Sequence, residues 1–422
     1  MRSRSLLTLF LIVFVDLVGF GIVLPNLALY GQEFGITSLF TLVLLGAVYS
    51  LCQFVFSPLL GAWSDRLGRR PILIFSQVGT VLGFALMYVA HWYTGDYRVW
   101  GIGLLFAARI LDGLSGGNIS VASAYIADIT TPENRAKGMG VIGAAFGLGF
   151  IFGPAIGAFT ATHWGLAMVP LVGGGFSALA LTLTCLFLAE SRPAEARVVR
   201  GLWIHHFSFV RSHTALRRLV VVGFIQVFAF AGMEQTYSLL VQERYYPTTI
   251  AQQLLHGRTV LESAARTSGY LFAIMGVTMA IMQGGLVGRL VKMSGELALI
   301  LLGGAIITAG LLALSVVTSW SGFVAASVAL AVGSALWSPC LNALLSRHAG
   351  PEQQGAVMGV YQGFASLARA LGPLFAGLVA TQISLSWSYA VIGLIVLLSV
   401  GLVMLWRPTL ALSPSADPPA GK

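Results

Sequence analysis

Five charged residues stand inside stretches that are otherwise apolar. Asp16 lies in DLVGFGIVLP, Arg109 and Asp112 in RILDGLSGG, Glu234 in FAFAGMEQTY and Arg369 in SLARALGPL. A charge at the middle of a membrane helix costs roughly 2.5–3.5 kcal/mol on insertion scales, so such residues are functional by default. Arg109 and Asp112 are three residues apart, on one helix face, and can partly neutralise each other. That leaves two readings for them, a self-contained structural ion pair or a proton or substrate site. Three acids and two bases would carry −1 if all were ionised. Burial and a neighbouring arginine act in opposite senses on a carboxyl's hold on its proton. At least one acid could therefore exchange a proton near neutral pH. Asp16 and Glu234 are the better candidates, because Asp112 has Arg109 on its own helix.

Two further strings carry chemistry. Residues 61–73 read GAWSDRLGRRPIL. Asp65 and Arg69 are at i,i+4 and can pair if the helix continues. Gly61 and Gly68 permit close packing and a tight turn, while Arg66 and Arg70 could serve only as anchors at a membrane surface. Residues 147–157 read GLGFIFGPAIG, where Gly147, Gly149, Gly153 and Gly157 make a small-residue face broken by Pro154. Such a face lets helices approach closely, and the proline allows a bend. Cys52, Cys185 and Cys340 are far apart inside apolar runs and have no metal-ligand spacing. The seven histidines lie at or near loops, and no HExxH, GxSxG or paired-aspartate set is present. An enzyme, a metal site and a cofactor are not expected.

The elements that position these residues follow from composition. Soluble domains are about one quarter charged. The 422-residue chain is 9% charged and 57% hydrophobic, with mean hydropathy +0.86. So few charges cannot cover a water-soluble surface, and the apolar residues must face lipid. Runs of about 20 apolar residues cross a bilayer core of roughly 30 Å. Twelve are expected: 6–30, 39–62, 71–93, 99–127, 138–161, 166–189, 218–242, 267–288, 297–317, 321–345, 357–380 and 386–406. Backbone polar groups must be satisfied internally in lipid, so spans of this length are helices. The net charge of +9 belongs to the loops and marks topology rather than nucleic-acid binding. Eighteen of the 24 Lys and Arg fall on one side when the N-terminus is placed inside, against four on the other. Both termini are thus expected in the cytoplasm.

Residues 190–217 are polar and basic and read as a linker between two halves, 1–189 and 218–407. A longer outer loop is expected at 243–266, with a short helix near 250–265. The tail 408–422 reads as disordered. A shift of 219 residues lays Pro132, Glu133, Met139, Gly140, Val141, Gly153 and Pro154 on Pro351, Glu352, Met358, Gly359, Val360, Gly372 and Pro373 without a gap. That shift is close to the length of one half with its linker, which points to an internal repeat. The fold class is an all-α membrane protein, with twelve transmembrane helices in two pseudo-symmetric six-helix bundles.

The 61–73 string resembles the loop signature of the major facilitator superfamily at Gly61, Asp65, Arg66, Gly68, Arg69 and Arg70; Trp63 departs from it. The resemblance implies a cytoplasmic gate in which Asp65 and Arg69 join an acid at the inner end of span four, where Asp128 stands. A shift of 223 lays Gly61, Arg66 and Leu67 on Gly284, Arg289 and Leu290, and this second-half copy has Gly288 in place of Asp65. Arg109 matches a span-four arginine implicated in proton transfer, and 147–157 resembles the span-five signature of the family's antiporters. DLVGFGIVLP, MEQTYSLLVQERY, MQGGLVGRLVK and LARALGPLFAG resemble the tetracycline-resistance-like branch of 12-span drug/proton antiporters. Exporters of tetracycline in that branch carry an acid in span nine, and 297–317 has none. The resemblance implies a monomer in the cell membrane that exports a small amphiphilic or drug-like solute by alternating access. The proton gradient would supply the energy. Tyr30, Tyr49, Phe146, Phe230, Tyr237 and Trp337 are candidates to line the cavity. The alternative is a proton-linked symporter or uniporter of a small nutrient or metabolite on the same fold.

Overall fold

A computed structural model describes residues 2–130, 132–191, 204–246 and 250–410. Side chains at 2–5, 127, 132–144, 146, 150, 204–206, 250–259 and 350–356 lie outside the description, as does the tail from 411. Ten stretches among the described residues are long and apolar enough to cross a membrane. One of them, Val260–Val316, has 57 residues, far more than one crossing needs. It turns at Gly295, whose φ of 75° is left-handed backbone that glycine adopts without strain. It therefore counts as two limbs. With the 33-residue helix Pro132–Trp164, the crossings come to the expected twelve.

Helices overrun the apolar windows, because the ends project into headgroups where polar residues are tolerated. Span two is Leu39–Leu67, span three Arg69–Ala90 and span six Val169–Phe187. Gly68 separates spans two and three at φ 106°. Ser38 caps span two by accepting from the Thr41 amide at 3.4 Å. Span seven, Thr214–Tyr245, begins four residues before its apolar run. Span twelve is Leu385–Leu410. The helical run Trp320–Gln382 has 63 residues, about 95 Å if straight. It holds two crossings, Trp320–Ala349 and Val357–Gln382, which are spans ten and eleven.

Two spans are interrupted. Span one consists of Arg2–Val23, a 3-10 turn at Leu24–Asn26 and Leu27–Glu33; Pro25 forces the change. Span four was expected as one helix over 99–127. It is two, Arg98–Ser115 and Asn118–Ile129, because consecutive Gly116 and Gly117 are poor helix formers. The outer loop is also corrected. Its expected short helix is the start of span eight, the continuous helix Ile250–Ile281. Within the linker, Ile204–Ser212 is helical; Phe207 stacks on Phe364 of span eleven at 6.1 Å.

The surface is apolar, as lipid requires: Leu398, Leu405 and Phe187 are each more than 60% exposed. Close approach within the first half is set by glycines. A Cβ on Gly153 would lie 2.7 Å from the Gly21 backbone, and one on Gly157 2.4 Å from the Ile22 carbonyl. The 147–157 face thus packs span five on span one. Span eight joins span five from the other half, with Gly276 against Ile151 and Gly269 against Ala158.

Candidate functional site

The halves meet at the end away from the basic loops. There Gln32 of span one and Gln242 of span seven exchange amide hydrogen bonds of 3.0 Å. The break at Pro25 frees a carbonyl, which accepts from the Ser238 hydroxyl of span seven at 2.5 Å. Gly377 of span eleven faces Val43 of span two. At the basic end, a Cβ on Gly61, Gly284, Gly288 or Gly359 would meet nothing within 4 Å among the described residues. The end away from the basic loops is closed by these contacts.

Midway between these ends lies the break in span four. A broken helix at membrane depth is tolerated only where protein or a cavity satisfies its freed backbone groups. Ser76 of span three donates to the Ser115 carbonyl. Gln53 of span two donates to the Gly116 carbonyl at 2.9 Å. Asn118 opens the second segment and donates its amide to a carboxylate oxygen of Asp16. Three neighbouring spans therefore converge on one break.

The five intramembrane charges divide there. Arg109 is 2% exposed and holds Asp112 at 2.9 Å, while its guanidinium lies 4.5 Å from the centre of the Tyr49 ring. Both the ion pair and the cation–π contact engage this arginine. Asp16 and Glu234 are buried, each with one carboxyl oxygen that has no hydrogen-bond partner among the described residues. Arg369, half-buried, donates to Ser366 at 2.9 Å. It lies within electrostatic reach of Glu234 and Tyr49 but pairs with no carboxylate within 4.0 Å among the described residues. A guanidinium has five N–H donors, so Arg369 keeps donors to spare.

At the basic end the expected clasp is present. Arg69 is 5% exposed and spends its whole fork: Nη2 on Asp65 at 2.8 Å, Nε on Asp128 at 2.9 Å and Nη1 on Ser64 at 2.6 Å. Glu190 was read only as the start of the linker. Its carboxylate accepts from the Arg69 and Arg70 amides at 2.9 and 3.1 Å, where the first turn of span three leaves N–H groups unpaired. Arg70 donates to the Cys185 carbonyl, and Arg66 is exposed. The second half has a clasp of its own, Arg347 to Glu296 at 2.9 Å. Under the 219-residue shift Arg347 is the counterpart of Asp128.

Most of the aromatic candidates are corrected. Tyr30 is buried within the first half, donating to the Met87 carbonyl at 2.7 Å. Tyr237 is bonded to Ser327 among Phe272 and Phe323, and Trp337 is fully buried against Gly304. Phe230 lines a small pocket inside the second half with Gln226 and Met233. These rings are bundle cores, because a large apolar ring gains more from burial than from a wet cavity wall. Phe146 lies outside the described side chains. Among the described side chains of the set, Tyr49 alone belongs to the central cluster. Reading charges alone missed Gln53, Asn118 and Ser366; only Asn118 carried a signal, an amide directly after the glycine pair Gly116–Gly117.

The sequence profile of the Major Facilitator Superfamily matches residues 9–373 and, in an overlapping alignment, 257–422. The chain belongs to the Major Facilitator Superfamily. It is 32% identical over 365 residues to human major facilitator superfamily domain-containing protein 10, covering 80% of this chain and 72% of the relative. It is 30% identical over 394 residues to the class C tetracycline resistance protein of Escherichia coli, covering 92% of this chain and 93% of the relative. Among solved structures it resembles the human organic anion transporter MFSD10 (TETRAN), with TM-score 0.71 and 28% identity over 95% of this chain and 99% of that one. The superfamily member described here is a multi-pass membrane transporter rather than an enzyme, with a tetracycline-resistance-like relationship.

Proposed function

We propose that this transporter is a proton-coupled antiporter that exports small amphiphilic solutes by alternating access, with organic anions as the preferred class. The reading rests on one arrangement: two buried carboxyls with an unpartnered oxygen, Asp16 and Glu234, and the half-buried cation Arg369 with donors to spare. A carboxyl oxygen without a donor is a place for a proton at membrane depth. A guanidinium without a carboxylate partner is a place for an anion. The relatives named for tetracycline resistance and organic anion transport agree with this class.

In this reading the protein sits as a monomer in the cell membrane with both termini cytoplasmic. The basic end faces the cytoplasm and admits the solute. Protons entering from outside displace it through Asp16 and Glu234, and the proton gradient drives the cycle. The linker 190–217 joins the two halves, and Asp65, Arg69 and Asp128 gate the inner end.

The test is reconstitution in proteoliposomes with an imposed pH gradient and three dyes, one of the fluorescein class, one cationic and one uncharged. The fluorescein-class anion should move against the protons. Asp16→Asn and Glu234→Gln should each slow that movement by about tenfold or more, equivalent to ~1.4 kcal/mol. Arg369→Ala should raise the anion's KM by about tenfold or more, the loss expected for a charge-assisted hydrogen bond of ~1.5–3 kcal/mol. Full pH-driven export by both acid variants sinks the coupling assignment, and movement of dye with the protons favours symport.

A further inference from the structure

Gln53 of span two is 5% exposed and spends its amide in three directions. Its nitrogen donates to the Gly116 carbonyl at 2.9 Å and to the Tyr49 hydroxyl at 3.0 Å. Its oxygen faces the Ser366 hydroxyl of span eleven, in the other half, at 3.4 Å. Ser366 in turn accepts from Arg369. A continuous polar chain therefore runs from the span-four break, which also holds Asp16 through Asn118, across the interface to Arg369.

The Ser366 hydroxyl has one proton and two acceptors in reach. Besides Gln53, the Gln362 carbonyl of its own helix lies at 3.1 Å. It can give up the contact between halves without leaving a buried donor unpaired, and that unpaired state is what makes most buried hydrogen bonds expensive to break. The Gln53–Ser366 contact is thus built to be made and released. By contrast, the Gln53–Gly116 bond stays within the first half and satisfies a carbonyl freed by the break.

We infer that Gln53 is the positioning residue that couples the proton site at the span-four break to the anion site in the opposite half, through its releasable contact with Ser366. The inference rests on the proton-coupled reading above. Protonation at Asp16 changes the bond to Asn118 and the strain on the break; Gln53, seated on that break, passes the change to Ser366 and Arg369. The charged and titratable groups around this chain are Arg109 and Asp112 of span four, Tyr49 of span two, Arg369 and Tyr361 of span eleven, and Glu234 of span seven. Asp112 and the Ser177 hydroxyl of span six also act on Asp16.

The test needs no substrate. Spin labels at Leu67 on span two and Leu286 at the inner end of span eight, both exposed, report the width of the basic end in full-length protein whose three cysteines are replaced. Distance distributions are measured between pH 5 and 9. The otherwise unmutated protein should change its distribution with pH, and Asp16→Asn should not. Gln53→Leu and Ser366→Ala should each reduce the amplitude of the pH response by roughly fivefold, the low end of coupling between sites. Ser366→Ala leaves the Gly116 carbonyl satisfied and keeps the test valid if Gln53→Leu folds poorly. A pH response of full amplitude in Ser366→Ala overturns the inference alone. A pH-insensitive distance without those substitutions overturns both the inference and the proton-coupled reading.

Discussion

Gln32 and Gln242 form a reciprocal amide pair, each donating to the other at 3.0 Å across the closed end of the molecule. Two neutral hydrogen bonds of about 1 kcal/mol net each are enough to bias a conformational equilibrium without locking it. Val43, 1% exposed at this end, gives a reporter. In a background without native cysteines, Val43→Cys should react slowly with a membrane-impermeant maleimide. Adding Gln32→Ala and Gln242→Ala should speed that reaction by about five- to thirtyfold. An unchanged rate would show that the amides do not hold the end shut.

Arg69 satisfies two carboxylates and a hydroxyl through a planar fork. A lysine offers one point charge and cannot reproduce that geometry. Arg69→Lys should therefore slow turnover nearly as much as Arg69→Ala, with the solute's KM little changed. Asp65→Asn should show the same pattern more weakly. Turnover in Arg69→Lys equal to that of the unmutated protein would remove the gate assignment.

Gly153 and Gly175 separate close packing from helix propensity. A methyl group at Gly153 would meet the Gly21 backbone at 2.7 Å, whereas one at Gly175 would meet nothing within 4 Å. Gly153→Ala should lower stability in detergent by about 1–3 kcal/mol, the usual cost of overpacking. Gly175→Ala should be neutral or slightly stabilising. Thermal unfolding of the two variants side by side checks the contrast.

The second-half clasp is more exposed, with Arg347 54% accessible on its side chain and Glu296 13%. Its value should accordingly be modest. Arg347→Glu should destabilise through like charges, and the double variant Glu296→Arg with Arg347→Glu should recover most of the loss. A double-mutant cycle should return about 0.3–1 kcal/mol. A coupling near zero would show that the pair contributes nothing to stability.

The number of spans and their basic side were legible because lipid imposes a strong, one-dimensional rule: about 20 apolar residues, then a loop. Asp65 and Arg69 were legible because charge and helical spacing decide which groups meet, and Asp128 through the resemblance of the 61–73 string to the family's loop signature. The break at Gly116–Gly117 was not, since hydropathy is blind to backbone conformation and the run 99–127 stays apolar through it. Gln53 and Ser366 went unread for a related reason. A neutral amide or hydroxyl costs little in hydropathy, and its importance comes from partners 63 and 313 residues away in the chain. Tyr237 and Trp337 went the other way, because a ring in a span reads the same whether it faces a cavity or a core.

The two clasps have opposite polarity. In the first half the base, Arg69, begins span three and the acid, Asp128, ends span four. In the second half the acid, Glu296, begins span nine and the base, Arg347, ends span ten. Helices of two similar repeats enter the membrane one after another, and each must find its own neighbour. A mispaired span three and span ten would set Arg69 against Arg347, and span nine with span four would set Glu296 against Asp128. The reversed signs thus make each such cross-pairing between the halves a meeting of like charges, which is repulsive.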